Sequence, residues 1–131
     1  MTVERLIRAA VPLCAAWLAT VGFLLLFAPV EAAAALVRSD GGGPLVQLLG
    51  AACLAFGVAT WTVRRAPLGG IYGRAVVAAN QMHLTVGALV LVKHGLDVGA
   101  PPAFWILTAG YVLAAVLFLS LAFGSGTKPI T

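Results

Sequence analysis

Charged residues are scarce in this sequence, and their scarcity argues against a water-soluble domain. Of the 131 residues, 9% are charged and 62% are hydrophobic. Soluble globular domains have about 25% charged residues, and a soluble chain of this length cannot bury so much apolar surface. A lipid bilayer can accommodate it, because the hydrocarbon core is itself an apolar solvent. The composition therefore predicts a membrane protein.

Residues suited to redox, metal or catalytic chemistry are also few. The two cysteines, Cys14 and Cys53, lie in apolar stretches at depths that differ by roughly 8 Å, which disfavours a disulfide. The two histidines, His83 and His94, would lie about 16 Å apart along one helix, so they cannot share a metal ion or a haem. No catalytic motif or nucleotide-binding loop is present. We therefore predict no metal site and no catalytic residue.

Four apolar stretches are long enough to cross a bilayer. About 20 helical residues span a hydrocarbon core about 30 Å thick, and none of the four stretches contains Asp, Glu, Lys or Arg. We predict an all-α fold, with residues 1–131 forming a single four-helix membrane bundle. The predicted spans are residues 9–27, 45–63, 75–92 and 103–123.

The segments between the spans contain the expected helix breaks. Pro29 should end the first span and begin a short helix outside the membrane over Val30–Arg38, with Glu31 in its first turn. Lys93–Pro102 should be an irregular connection in which Gly95 helps to break the helix. The first apolar run exceeds the about 7–15 residues of a signal-peptide core, so we interpret it as a retained span.

The basic residues indicate orientation rather than a nucleic-acid partner. The formal net charge is +4, but the eight Lys and Arg residues lie between apolar stretches and form no basic face. Because Lys and Arg concentrate in cytoplasmic segments, we predict that both termini are cytoplasmic; the resemblance described below implies that the membrane is a bacterial inner membrane. The predicted cytoplasmic set is Arg5, Arg8, Arg64, Arg65, Arg74 and Lys128, against Arg38 and Lys93 outside.

The third span contains a cluster of polar residues. Ala75, Ala79, His83 and Gly87 recur every four residues, a pattern of small residues that lets helices approach closely. His83 should lie about 12 Å along its helix, near the bilayer centre. Because polar groups at this depth usually face other helices, we predict that His83 faces a neighbouring helix and is hydrogen-bonded there.

Possible partners follow from depth along the helices. Thr60 should lie at the depth of Asn80, and Thr20 and Tyr111 within roughly two turns of His83. One interpretation is hydrogen bonding between helices, worth about 0.6 kcal/mol per bond. The other is a ligand or proton site, such as a quinone headgroup bound by His83 and Tyr111. These five residues are the candidate ligand-binding set.

Two segments carry a resemblance to a known group. Gln47–Arg65 and the Phe27-Ala28-Pro29 end of the first span follow a pattern found in small bacterial membrane proteins. With four helices and a histidine in the third span, the chain resembles the DoxX-like group. The resemblance implies the fold, and it implies that some members are quinone-linked oxidoreductase subunits; it carries over no functional residue. Small multidrug-resistance exporters have the same size, but they use a glutamate in the first span that this chain lacks.

These features lead to two hypotheses about function. The first is a non-enzymatic accessory subunit that packs against a larger membrane protein or against copies of itself. The second is a quinone- or lipid-binding component of a membrane redox system built on His83, Asn80 and Tyr111; the cofactor would be a quinone or another lipophilic ligand. The predicted helix-packing residues are Ala75, Ala79, Gly87, Ala51, Ala55, Ala59, Gly110 and Ala114.

Overall fold

The computed structural model describes residues 3–41, 43–65 and 70–124, and within these ranges the chain is helical with no strand. Four of the helices are long and apolar enough to cross a membrane, so the predicted all-α class and the four long apolar helices are confirmed. The helices are α1 (Val3–Phe27), α2 (Pro29–Val37), α3 (Pro44–Thr62), α4 (Ile71–Val98) and α5 (Pro102–Gly124).

Prolines begin three of these helices. Pro29, Pro44 and Pro102 are the first residues of α2, α3 and α5, where a fixed φ suits the helix and the missing N–H has no partner to lose. The short helix predicted after Pro29 is therefore confirmed. It ends at Arg38, which adopts a left-handed conformation with φ 52° and donates its backbone N–H to carbonyls of the last turn.

Helix α4 differs from the prediction. It extends beyond the predicted 75–92 at both ends, and Gly95 does not break it. Gly95 is buried, and a Cβ there would lie 2.9 Å from Cζ2 of Trp105 and 3.0 Å from Cε1 of Phe104. The glycine thus lets two aromatic rings of α5 pack on the α4 backbone, and this contact stabilises the extra turns. The helix ends only at Gly99, which has φ 61°.

The closest packing joins α1 and α3. A Cβ on Gly57 would lie 2.7 Å from the backbone nitrogen of Ala19 and 2.9 Å from the carbonyl oxygen of Ala15. A Cβ on Gly50 would lie 2.9 Å from the carbonyl oxygen of Gly22. Since higher numbers on α1 face lower numbers on α3, the helices are antiparallel. Their backbones touch because these positions have no side chain.

Helices α4 and α5 form the second antiparallel pair. Gly87 faces Tyr111, and Gly95 faces Trp105. Trp17 of α1 connects the two pairs, with its ring centroid 5.4 Å from that of Tyr111 in an edge-on arrangement. The apolar core between the pairs includes Leu18, Leu84 and Phe118, all essentially inaccessible.

The predicted small-residue faces behave differently from one another. Ala75 and Ala79 are exposed, so the expectation that they pack beside His83 is wrong within this chain. Residues four apart rotate by about 40° per step around a helix, and the pattern therefore turns away from the interface over three steps. Gly87 and Gly110 pack on aromatic rings and Ala114 is buried. Of the three alanines predicted to pack on α3, Ala51 and Ala55 face outward and Ala59 is partly buried.

Candidate functional site

Three polar side chains from three helices meet near the middle of the spans. The hydroxyl of Tyr111 on α5 lies 3.2 Å from Nε2 of His83 on α4 and 3.4 Å from Sγ of Cys53 on α3. Cys53 Sγ and His83 Nε2 are 3.9 Å apart. Cys53 and Tyr111 are buried and His83 is partly buried. We refer to these residues as the Cys53–His83–Tyr111 cluster.

Aromatic rings hold the cluster in place. The ring of Phe56 on α3 stacks on the imidazole of His83, with centroids 4.5 Å apart and planes inclined by 17°. Trp17 packs edge-on against Tyr111. A Cβ on Gly87 would lie 2.7 Å from Cε1 of Tyr111, so the glycine makes room for the phenol ring. Both rings are therefore fixed by neighbours on other helices.

The two nitrogens of His83 differ in their surroundings. Nε2 makes the contacts within the cluster, and either it or the Tyr111 hydroxyl can be the donor. No hydrogen bond from a described residue reaches Nδ1. If the Tyr111 hydroxyl donates to Nε2, Nδ1 carries the proton and is a donor with no acceptor among the described residues.

A second polar contact joins α3 and α4. Asn80 is fully buried, and its Nδ2 donates to the hydroxyl of Thr60 at 3.0 Å and to the carbonyl of Val76 at 2.9 Å. Since a carbonyl only accepts, the amide cannot be turned the other way. Asn80 Oδ1 is therefore left buried with no partner among the described residues, at a cost of about 1–3 kcal/mol.

A similar unpartnered acceptor lies on the next residue. Gln81 donates from Nε2 to the hydroxyl of Thr85 at 2.6 Å, while its Oε1 is buried without a partner in the described part of the chain. The side-chain carbonyl oxygens of two consecutive residues on α4 thus have no hydrogen-bond donor among the described residues. A bound water molecule or a ligand hydroxyl would satisfy either of them.

The predictions made from depth were partly successful. His83 faces its neighbours and is hydrogen-bonded, and Thr60 pairs with Asn80, as expected. Thr20, proposed as a partner on depth alone, does not join His83: it is exposed and donates at 2.8 Å to the carbonyl of Ala16 in its own helix. Depth defines height in the membrane but not the side of the helix, and α1 presents Trp17 to the cluster instead.

Cys53 is the site residue that the sequence analysis missed. Both cysteines are free and buried, as predicted, but Cys53 had been treated only as a small apolar residue. On α3 the buried residues are Gly50, Cys53, Gly57 and Thr60, spaced alternately by three and four. This spacing marks one face of a helix, so it would have placed Cys53 on the same face as Thr60.

The cluster combines groups that exchange protons with groups that bind ligands. A thiol, a phenol and an imidazole can pass a proton along a hydrogen-bonded chain, and each can also bind a polar group that reaches it. No three His, Cys, Asp or Glu side chains come together as a metal site within the described ranges. Any metal bound at the cluster would therefore have a low coordination number or use tyrosine.

Comparison with known proteins provides no relative from which a role could be transferred. No protein-family model matches the chain, no curated protein matches it, and no solved structure does. The resemblance to the DoxX-like group therefore stays a prediction.

Proposed function

We propose that the chain is a non-enzymatic subunit of a bacterial inner membrane, a four-helix bundle with both termini cytoplasmic, packed against a larger membrane protein or against copies of itself. The supporting observation is the outward face of α3, where Ala51 and Ala55 are exposed between Leu48 and Val58. Small residues between larger ones leave a recess into which a side chain of another helix fits.

The same property explains the contact that already exists inside the chain. Helices α1 and α3 touch through glycines on the inner face of α3 and small residues of α1, while the outer face of α3 carries the small residues Ala51 and Ala55. The outward face of α5 is different: Ile106, Leu113 and Val116 are bulky and exposed, which suits contact with fluid acyl chains. A protein partner therefore fits α3 better than α5.

The lengths of the connections also favour an accessory role. The helices are joined through residues 38–43, 63–70 and 99–101, which are too short to hold a domain outside the membrane. The side chains capable of proton transfer or ligand binding, Cys53, His83 and Tyr111, lie inside the bundle, where the helices face one another. A role in assembly or stabilisation of a membrane complex needs only the membrane helices and no domain outside the membrane.

A matched pair of substitutions tests the proposal. Ala55→Leu fills the recess on α3, and Ala109→Leu adds the same group to the exposed face of α5. After purification in mild detergent, we expect Ala55→Leu to lose the co-purifying partner, or the higher oligomer on gel filtration, while Ala109→Leu retains it. Both variants should keep wild-type helix content. Equal behaviour of the two variants would contradict the assignment of the α3 face.

A second candidate function is binding of a quinone or a related lipophilic carbonyl compound. The observation that favours it is the contact of Tyr111 with Nε2 of His83: when Tyr111 donates to Nε2, Nδ1 of His83 becomes a donor with no acceptor among the described residues. A headgroup carbonyl at this position would accept that proton in a hydrogen bond. Three residues earlier on α4, Asn80 supplies an acceptor for a hydroxyl of the reduced form.

Substitution of His83 separates the structural and ligand-binding roles. His83→Gln keeps a hydrogen-bonding group at the position, so assembly should be retained if the residue is only structural. If His83 binds a quinone, the variant should insert and fold but lose quinone from a solvent extract of the purified protein. His94→Gln is the control, since His94 is exposed and lies outside the cluster. Quinone retained at wild-type level in His83→Gln would exclude this candidate.

A further inference from the structure

The Cys53–His83–Tyr111 cluster places a thiol and an imidazole nitrogen where one metal ion can bridge them. Cys53 Sγ and His83 Nε2 are 3.9 Å apart. A metal ion lies about 2.0–2.3 Å from thiolate and imidazole donors, so two donors about 4 Å apart can share one ion with little movement. Aromatic stacking of Phe56 on His83 already fixes the direction of the imidazole.

Charge decides which metal such a site would accept. The cluster lies in a span segment that contains no charged residue between Arg74 and Lys93, and a net charge in hydrocarbon is costly. A thiolate, a neutral imidazole and a monovalent cation sum to zero. A divalent ion would leave one positive charge, unless Tyr111 also lost its proton. Among the physiological monovalent cations, soft sulfur donors select Cu(I).

We propose that Cys53 on α3 and His83 on α4 bind one Cu(I) ion between the helices, near the middle of the membrane. The Tyr111 hydroxyl, 3.4 Å from Sγ, donates a hydrogen bond to the thiolate in the loaded state. On binding, Cu(I) leaves the ligand that carried it, Cu–S and Cu–N bonds form, the S–H bond breaks and the thiol proton passes to the released ligand or to water; copper keeps its oxidation state. One monovalent cation replaces one proton, so loading leaves the net charge of the site unchanged.

The proposed site departs from the prediction of no metal site, which was made because the two histidines alone cannot share an ion. Cys53 and His83 are 30 residues apart in the sequence, and only the packing of α3 against α4 brings them together. The inference does not depend on the accessory role. A subunit with or without a large partner can hold the ion.

The test uses the full chain purified in mild detergent under reducing conditions. Cu(I) is titrated in competition with a chromophoric chelator, and Ag(I) serves as a probe that does not change oxidation state. We expect one ion per chain, with one sulfur and one nitrogen ligand in X-ray absorption spectra. Cys53→Ser should abolish binding, and His83→Gln should remove the nitrogen ligand and weaken binding. Tyr111→Phe should weaken it about 10–100-fold, as loss of an outer hydrogen bond does.

Matched controls come from the second cysteine and the second histidine. Cys14→Ser removes the other buried thiol and His94→Gln the other imidazole, and both should bind as the wild type does. If Cys53→Ser does not fold by circular dichroism and gel filtration, His83→Gln decides the question, because it keeps the thiol. Wild-type affinity in a folded Cys53→Ser or His83→Gln chain, or a loss of binding in Cys14→Ser equal to that in Cys53→Ser, would overturn the site. Tighter binding of Zn(II) than of Ag(I) would overturn the charge argument.

Discussion

Substitution of Gly57 by alanine should destabilise the pairing of α1 and α3. The added Cβ would lie 2.7 Å from the backbone nitrogen of Ala19, 2.9 Å from the carbonyl oxygen of Ala15 and 3.1 Å from Cα of Ala19. All three atoms belong to the backbone, so no side-chain rotation relieves the contacts. The two helices must separate by several tenths of an ångström.

Two opposing effects determine the magnitude. Alanine is favoured over glycine inside a helix by about 1 kcal/mol. Overpacking of a close interface costs about 1–3 kcal/mol, and here separation also loosens neighbouring contacts along both helices. We expect net destabilisation of about 1–2 kcal/mol for Gly57→Ala. Gly50→Ala should behave alike, since its Cβ would lie 2.8 Å from the backbone nitrogen of Leu26.

The double variant provides the sharper test. Once one alanine has separated the helices, the second meets less resistance, so the combined loss should be smaller than the sum of the single losses. Unfolding in mixed micelles, followed by circular dichroism, measures these free energies. Gly43→Ala is the control, because its Cβ would meet nothing within 4 Å. Unchanged or increased stability of Gly57→Ala would refute the close backbone contact.

Two further predictions concern a hydrogen bond and the topology. Thr60→Val removes the acceptor for Asn80 and should lower the free energy of unfolding by about 0.6–1.7 kcal/mol in the same assay. Thr20→Val is the control, since Thr20 is exposed, and it should change this free energy by less than about 0.5 kcal/mol. Equal losses in the two variants would contradict the assignment of the α3–α4 contact. A chain without Cys14 and Cys53 can carry one new cysteine at a time in intact cells. An impermeant maleimide added outside should label Gly41→Cys, on the proposed outer side, but not Gly70→Cys, on the proposed cytoplasmic side. The reverse pattern would invert the proposed orientation.

The position of the polar residues along the membrane normal could be predicted because it depends on local sequence. A helix rises about 1.5 Å per residue whatever its neighbours are, so the depths of Thr60 and Asn80 follow from counting. Their hydrogen bond agrees with that count. The side of the helix on which a residue lies could not be predicted in this way. Thr20 has a suitable depth but faces outward, and Ala75 and Ala79 also face outward.

The spans themselves were determined by the sequence, because apolar length and missing charge are properties of each segment alone. Prolines likewise define where α2, α3 and α5 begin. The extra turns of α4 were decided by the tertiary structure, through the rings of Trp105 and Phe104 on Gly95. A glycine in isolation weakens a helix, and only a packing partner reverses that tendency.

The tertiary structure also decided the composition of the candidate site. In lipid, an apolar side chain gains little by facing another helix rather than an acyl chain, so hydrophobic patterns do not reveal how each helix is rotated. The rotation is set by the backbone contact of α1 with α3 and by the aromatic contacts of α4 with α5. These contacts bring Cys53, His83 and Tyr111 together from three helices, an arrangement that no local stretch of sequence encodes.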